Sequence, residues 1–460
     1  MKLAKLSLAA MVVAGLASSS FAASDTLADA FKNGKVKGEL KAWYFDKDTN
    51  EAQGTTKTID GKTFAYDGKE DIADFAIELG YVTDSLNGFR LGATFQGAAT
   101  PFASDEAKIL YNDSQYAPGA VLSEAYLGYA IGKTDVKVGR QYIATPLVNG
   151  SGSRIYKEAF EGAVLVNTDI PQTTVAAGYV GKFQGRTGTI SNFGTQDDGA
   201  PTFKKAAVFT GAGSTALAFD GAYTGLVINK SITNLALTGQ YAVVNDVVSG
   251  TSIANVSVYY AEANYVLPVA GFKLGFDVNA RGSRTGAQLD VAQLEGDYYA
   301  GRISISELAG FGASFAAGIT SDDQGVIAGM GNGPTSYTST MIRGTSKVMT
   351  ADTDSYLFAA TYDFGKIGVT GLSAIAQYGW TEQGQYKSKS TALPVTSTVD
   401  NTNIAVGLAY DVQAAALKGL SVGLQYETQT ADTKTYTGTN VTRTTSRDTD
   451  ELWFKAGYKF

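Results

Sequence analysis

The 460-residue chain contains no His and no Cys. Ser–His and Cys–His nucleophile pairs, imidazole-bound metals, thiolate chemistry and disulfides all need one or the other. No enzyme activity and no cofactor is therefore expected. The side chains left to act are charged ones, 37 Lys and Arg against 44 Asp and Glu, with both signs scattered along the chain. A net charge of −7 without a basic stripe argues against nucleic acid as a partner. One short stretch gathers charge among apolar residues: 144–158, Ala-Thr-Pro-Leu-Val-Asn-Gly-Ser-Gly-Ser-Arg-Ile-Tyr-Lys-Glu, which holds Arg154, Lys157 and Glu158. Ser321-Asp322-Asp323 and Asp352-Thr353-Asp354 offer oxygens of the kind a hard cation takes, and read more simply as solvated loop tips. The Gly-Ala stretch 211–225 lacks the strand, Lys and helix of a phosphate loop.

The elements that must position these residues read as strands. At the C-terminus Leu452, Phe454, Ala456, Tyr458 and Phe460 alternate with Glu451, Trp453, Lys455, Gly457 and Lys459. Period-two alternation over ten residues has the length of a tilted membrane-spanning strand. Val36, Gly38, Leu40, Ala42 and Tyr44 alternate in the same way with Lys37, Glu39, Lys41 and Trp43. So do Phe272, Leu274, Phe276 and Val278 with Lys273, Asp277 and Asn279. A soluble sandwich would have to bury Lys and Glu strand after strand, which is costly. Lipid outside and water inside accommodate both faces, and the aromatics at strand ends read as interfacial girdles. The N-terminus fits export: Lys2 and Lys5, an apolar run Leu6 to Ala17 too short to span a bilayer, and Ser20-Phe21-Ala22 as a small-x-small cleavage site. Cleavage after Ala22 removes both lysines and takes the formal charge from −7 to −9.

The expected architecture is an all-β transmembrane antiparallel barrel. It comprises a signal peptide 1–22, a short periplasmic segment 23–34 and a barrel 35–460 of about 18 strands. The strands fall at 35–46, 71–83, 88–97, 121–131, 134–143, 159–168, 173–183, 217–228, 235–244, 256–266, 272–281, 297–307, 311–320, 354–364, 370–381, 402–412, 420–429 and 449–460. Short turns such as Gly132-Lys133 alternate with long polar loops such as 184–216, 321–353 and 430–448. All eight prolines fall between these strands, as a ladder residue without an N–H should. An even strand count puts both termini on the periplasmic side. Eighteen strands enclose an aqueous channel too wide for side chains to fill, and such a channel acts through its narrowest point and the charges around it. The apolar character of 144–158 suits a loop folded inward against the wall, which makes it the candidate constriction. Periodicity points Arg90, Lys137, Lys273, Arg281 and Arg302 into the lumen, with Asp74, Glu78, Glu124, Glu161 and Asp277 as their acidic counterpart. Arg140 falls on the lipid-facing phase of Val136 and Val138. It must sit at the membrane edge or follow a phase change into the lumen, since an arginine facing lipid at the midplane costs about 2–4 kcal/mol.

The segment from Val138 to Leu165 (Val-Gly-Arg-Gln-Tyr, Thr-Pro-Leu-Val-Asn-Gly-Ser-Gly-Ser-Arg, Phe-Glu-Gly-Ala-Val-Leu) resembles the matching stretch of the OprD-type porins. So do Leu27 to Val36 followed by Gly38-Glu39-Leu40, and Phe219-Asp220-Gly221-Ala222-Tyr223. The resemblance implies a Gram-negative outer-membrane porin with eighteen strands, a basic ladder on the wall and an inward third loop, in which Arg154 is the first candidate for the pore constriction and Lys157 and Glu158 come next. It implies passive passage of small solutes and ions, such as amino acids, peptides or carboxylates. It turns Arg140 into the lumen and marks Phe460 as the signal read by the outer-membrane assembly machinery. Ala144 stands where the pattern leads one to expect an acidic residue. The implied surroundings are outer-membrane lipid and lipopolysaccharide, and the implied state is a monomer or a weak homotrimer. The competing reading is a barrel serving as an adhesin or structural surface protein.

Overall fold

The computed structural model describes residues 24–50, 56–59, 62–65, 68–191, 199–212, 215–286, 288–289, 294–344, 348–388 and 392–460. The expected signal peptide lies outside them. Eighteen antiparallel strands form the barrel: β1 Lys35–Asp48, β2 Lys69–Val82, β3 Phe89–Ala99, β4 Gly119–Ile131, β5 Thr134–Gln141, β6 Ala159–Asn167, β7 Thr173–Gln184, β8 Gly221–Asn229 and β9 Leu235–Ser249. They continue as β10 Ser252–Val269, β11 Phe272–Thr285, β12 Asp297–Leu308, β13 Phe311–Thr320, β14 Thr353–Asp363, β15 Leu372–Gln383, β16 Ser397–Asp411, β17 Leu420–Thr437 and β18 Asn440–Lys459. Each strand pairs with its sequence neighbours, and β1 pairs with β18 from Glu39↔Lys459 to Asp48↔Asp450. Closure leaves no edge, which backbone amides in hydrocarbon require.

The alternation governs what faces lipid. Leu40, Phe75, Leu79, Phe95, Val138, Phe276, Ile303, Phe358, Val406 and Phe454 are all exposed on the outside. Paired rings stand near the strand ends, among them Phe89 with Tyr129 at 4.5 Å and Tyr356 with Trp380 at 4.8 Å. A short helix, α1 Leu27–Lys32, is capped by the Thr26 hydroxyl, which accepts from the Asp29 amide at 3.1 Å. The Asp84 amide donates to the Ala30 carbonyl at 2.9 Å and ties the helix to the turn between β2 and β3.

Three expectations are corrected. The stretches expected to loop out between β9 and β10 and between β17 and β18 are strand almost throughout, with turns at 250–251 and 438–439. Their alternation gives way to Thr, Asp and Ser, because these ends stand above the membrane and have no lipid to select for. Pro268 lies inside β10 at its penultimate residue, where a strand end tolerates the missing donor. The eighth strand begins at Gly221, and Thr215–Ala218 joins a separate ladder.

That ladder lies inside the barrel mouth. Ala206–Gly211 pairs with Thr215–Ala218 and with Ile327–Met330, and Val148 bridges Met330 in parallel. These residues cover an apolar patch on the inward faces of β6 to β10, including Val164, Val180, Leu226, Val244 and Val258. A second buried apolar cluster joins Trp43, Phe45, Ile72, Ile155, Tyr156 and Trp453 on the inward side of β1, β2 and β18, so the polar alternation of the lumen is interrupted there too.

Candidate functional site

The third outer connection, 142–158, starts as a tight hairpin. Pro146 fixes its first bend, the Thr145 amide donates to the Val148 carbonyl at 2.8 Å, and the Thr145 hydroxyl accepts from the Val148 amide at 3.1 Å. A Cβ on Gly150 would stand 2.5 Å from the Glu158 carbonyl oxygen, so the return leg needs glycine there. The connection touches inward side chains from far-separated strands. Gln240 of β9 accepts from the Leu147 amide at 2.9 Å. Gln96 of β3 and Gln184 of β7 both donate to the Lys157 carbonyl at 2.9 Å. Lys41 of β1 donates to the Ile155 carbonyl at 3.0 Å, and Lys455 of β18 to the Ser153 carbonyl at 2.9 Å. Only a segment lying across the lumen reaches all five strands.

The seventh outer connection, 321–352, meets it from the other side. The Asn149 amide donates to the Met330 carbonyl at 3.0 Å, and the Met330 amide to the Leu147 carbonyl at 2.8 Å. A Cβ on Gly329, Gly331 or Gly333 would come within 2.5 Å of atoms of Leu147 or Asn149, so the two backbones touch because alternate residues lack side chains. Farther along, Arg343 donates to Glu451 at 2.6 Å and to Gln429 at 3.0 Å. Glu427 accepts from the Thr340 hydroxyl at 2.7 Å and the Ile342 amide at 2.8 Å.

Arg154 lies flat against the Trp453 ring, 4.3 Å from its centroid. Burial pulls its pKa down to about 9, which still leaves it cationic at neutral pH. Lys455 sits beside it, 4.2 Å from the Trp453 centroid and 4.5 Å from that of Trp43. Neither cation has a carboxylate partner among the described residues. Lys157 bridges Glu78 at 2.7 Å and Glu39 at 3.6 Å. Burial works against its charge, but the two carboxylates outweigh it and hold the ammonium above its ordinary range.

The other expected wall residues are mostly paired. Arg90 chelates both oxygens of Asp135 at 2.7 and 2.8 Å, and Lys137 lies over Tyr126. Arg302 meets Asp277 at 2.7 Å, and Lys273 meets Glu307 at 3.0 Å near the periplasmic end. Glu124 accepts from Thr94 at 2.6 Å.

Several assignments change. Glu158, expected at the constriction, is 1% exposed. It accepts from the Ser151 amide at 2.9 Å and from Asn332 through its amide at 2.9 Å and Nδ2 at 2.6 Å, with Arg186 at 3.4 Å. It clasps the two connections together and does not line the passage. Arg281 points inward but is buried under the seventh connection, donating to the carbonyls of Ala328 and Thr335. Asp74 is 0% exposed and faces no water. Arg140 stays on the face of Val138 because its partner across the ladder is Glu161, in the row next to Val138↔Ala163. It pairs with Glu161 at 3.1 Å, and Lys182 completes the group at 2.7 Å. All three lie beside the outer ends of β5, β6 and β7, where water is close, so no turn into the lumen is needed. Glu161 leaves the set of lumen acids with them. Sequence reasoning did not single out Lys455, Arg343, Trp43 or Trp453. The first, third and fourth lie on inward phases it had drawn, whereas nothing in the polar stretch 321–353 distinguishes Arg343. Phe460 is exposed on the outer face at the periplasmic rim, and its backbone exchanges two hydrogen bonds with Gly38.

A closed eighteen-strand barrel, apolar outside and crossed within by two inward connections edged with charge, is a diffusion channel of the bacterial outer membrane. The chain belongs to the OprD family of outer-membrane porins, whose family model matches residues 29–459. Solved porins of Pseudomonas aeruginosa share the fold. OpdK with vanillate aligns with a TM-score of 0.70 at 15% identity over 93% of this chain and 99% of its own. OccK9 (OpdG) aligns at 0.70 with 16% identity over 94% and 100%, and OccK11 (OpdR) at 0.68 with 14% identity over 94% and 97%. A comparison with curated protein sequences gave no match.

Proposed function

We propose that this porin favours small anionic solutes, carboxylates first, and that its narrowest passage runs past Arg154 and Lys455. One observation carries the reading. The pore-wall cations Lys157, Arg90, Arg302, Lys273 and Arg343 each face a carboxylate, so their fields largely cancel. Arg154 and Lys455 are held by Trp43, Trp453 and a carbonyl with no carboxylate partner among the described residues, and Arg154 stays cationic for a passing solute. Two cations without a carboxylate of their own suit the carboxylate end of a small solute. One similar porin is described with vanillate, an aromatic carboxylate.

The test is the reversal potential of single channels in a planar bilayer under a potassium chloride gradient. The wild type should prefer chloride. Arg154→Ala should enlarge conductance, and Arg154→Ala with Lys455→Ala should move selectivity towards potassium. A cation-selective wild type, or a double variant with unchanged reversal potential, would place the selecting charges elsewhere.

A further inference from the structure

The inward faces of β9, β10 and β11 bring together Thr238, Glu262, Asn264, Asp277 and Asn279. Thr238 stands opposite Glu262, Glu262 opposite Asn279, and Asn264 opposite Asp277 in the next row. All five are at least nine-tenths buried. The Asn264, Tyr337 and Arg302 donors are already committed, and the Tyr260 hydroxyl also faces Glu262. Asn264 Nδ2 donates to Glu262 Oε1 at 3.2 Å, Asp277 Oδ1 at 2.9 Å and the Tyr337 hydroxyl at 3.3 Å. The Tyr337 hydroxyl donates to Glu262 Oε1 at 2.5 Å, and Arg302 donates to Asp277 Oδ2 at 2.8 Å. Among the described residues, four buried oxygens here have no hydrogen-bond partner: Thr238 Oγ1, Glu262 Oε2, Asn264 Oδ1 and Asn279 Oδ1.

Three of these atoms can only accept. Buried acceptors crowded together repel one another unless something positive lies between them, and each unsatisfied one costs about 1–3 kcal/mol. A single water donates two protons and cannot serve three acceptors. A hard cation of calcium type takes six to eight oxygens, from carboxylate, amide and hydroxyl alike, in flexible geometry. We infer that Thr238, Glu262, Asn264 and Asn279 form a binding site for a calcium-class cation in the channel wall. Among the described residues no group of three or more acidic side chains has metal-binding geometry, so the site rests on one uncommitted carboxylate oxygen and neutral oxygens. Arg302 neutralises Asp277, and Arg281 stands one row away opposite Tyr260. Affinity therefore falls in the weak class, about 10⁻⁴–10⁻³ M, that suits an extracellular setting. Because Tyr337 belongs to the seventh connection and hydrogen-bonds Glu262, a bound cation would fix that connection to the wall.

Terbium stands in for calcium, and Tyr337 and Tyr260 lie close enough to sensitise its luminescence. The purified full-length barrel in detergent should show a saturable terbium signal, competed away by calcium. Glu262→Gln should weaken that phase by about tenfold or more and Thr238→Val by a few fold, whereas Asn279→Asp, which adds a ligand charge, should tighten it about tenfold. Asp352→Asn, in the loop-tip acids, should leave it unchanged. Superimposable titrations of wild type and Glu262→Gln would overturn the assignment. So would an Asn279→Asp variant that is folded by circular dichroism and binds no tighter, since that is expected if Asn279 merely hydrogen-bonds its neighbour. Should Glu262→Gln not fold, Thr238→Val and Asn279→Asp decide between the same two results.

Discussion

Replacing Glu158 should loosen the inside of this barrel while leaving its wall intact. The carboxylate receives three hydrogen bonds, from the Ser151 amide at 2.9 Å, the Asn332 amide at 2.9 Å and Asn332 Nδ2 at 2.6 Å, and an ion pair with Arg186 at 3.4 Å. Bonds to a charged acceptor contribute about 1.5–3 kcal/mol each, but they share one group and do not add. Removing one partner of a buried ion pair costs about 3–5 kcal/mol, because the remaining charge and donors stay dry and unmatched. At tenfold per 1.4 kcal/mol, Glu158→Ala should raise the open population of the clasp by about two to three and a half powers of ten. Glu158→Gln should be nearly as harmful, since its own amide N–H groups would face the Asn332 donors. None of this touches the barrel ladder, so heat-modifiable migration and far-ultraviolet circular dichroism should stay as in the wild type. Trypsin should gain access to Arg154, Lys157 and Arg343, and single-channel traces should turn from quiet to flickering. A variant with wild-type trypsin resistance and quiet channels would refute the argument that Glu158 holds the two connections together.

Arg140→Ala should change conductance and selectivity little and stability by no more than about 1 kcal/mol, because the Arg140–Glu161–Lys182 group is partly exposed; a large shift in reversal potential would return Arg140 to the lumen. The raised pKa of Lys157 makes its hold on Glu78 and Glu39 fully present below the ordinary lysine value of 10.5 and lost only as pH rises through the higher folded value. Channel noise should therefore stay constant from neutral pH to about pH 10 and rise beyond it, and flicker appearing near pH 8 would contradict this. Phe460→Ala should lower the yield of folded barrel in the outer membrane of expressing cells, while protein refolded in detergent keeps its conductance; equal membrane yields would deny Phe460 a part in assembly.

Most of the barrel was legible because membrane strands repeat one instruction. Lys37, Glu39, Lys41 and Trp43 face in and Leu40, Ala42 and Tyr44 face out, as the alternation requires, and the turns between them are short and marked by Gly or Asn. Legibility stopped where the instruction stopped. Strand ends above the membrane, such as Thr430 to Thr437, carry no lipid-facing residue and read as loop. The interior packing was hidden for a related reason. Val164, Val180 and Val244 face inward although they are apolar, and only the covering segments make that sensible. A hint was present in Gly329, Gly331 and Gly333, a glycine at every second residue, which is the spacing that lets two backbones touch. The role of Glu158 was misread because a charge beside a constriction looks the same in sequence whether it faces the passage or its scaffold.

The interior packing narrows the choice of which charges can select. Segments 142–150, 206–211 and 327–330 pack against β6 to β10, whereas Ile155, Tyr156 and Ile342 pack with Trp43, Phe45, Ile72 and Trp453 on β1, β2 and β18. Lys41, Trp43, Glu451 and Trp453 are buried in that packing, while Arg154 and Lys455 beside them keep partial exposure. Arg90 with Asp135 and Lys273 with Glu307 lie towards the periplasmic strand ends, each a closed pair whose field fades within a few ångströms. An arginine added to the β8 inward face would meet packed Leu226 or Ile228 and no passing solute, so its effect would be on folding alone. One added to the inward face of β17, at Gln425, would replace a half-buried side chain beside Met341 and keep partial exposure. Selectivity should therefore respond to substitution at partly exposed inward residues such as Arg154, Lys455 and Gln425 and remain indifferent to the packed ones, an asymmetry that the even repeat of the barrel alone would never produce.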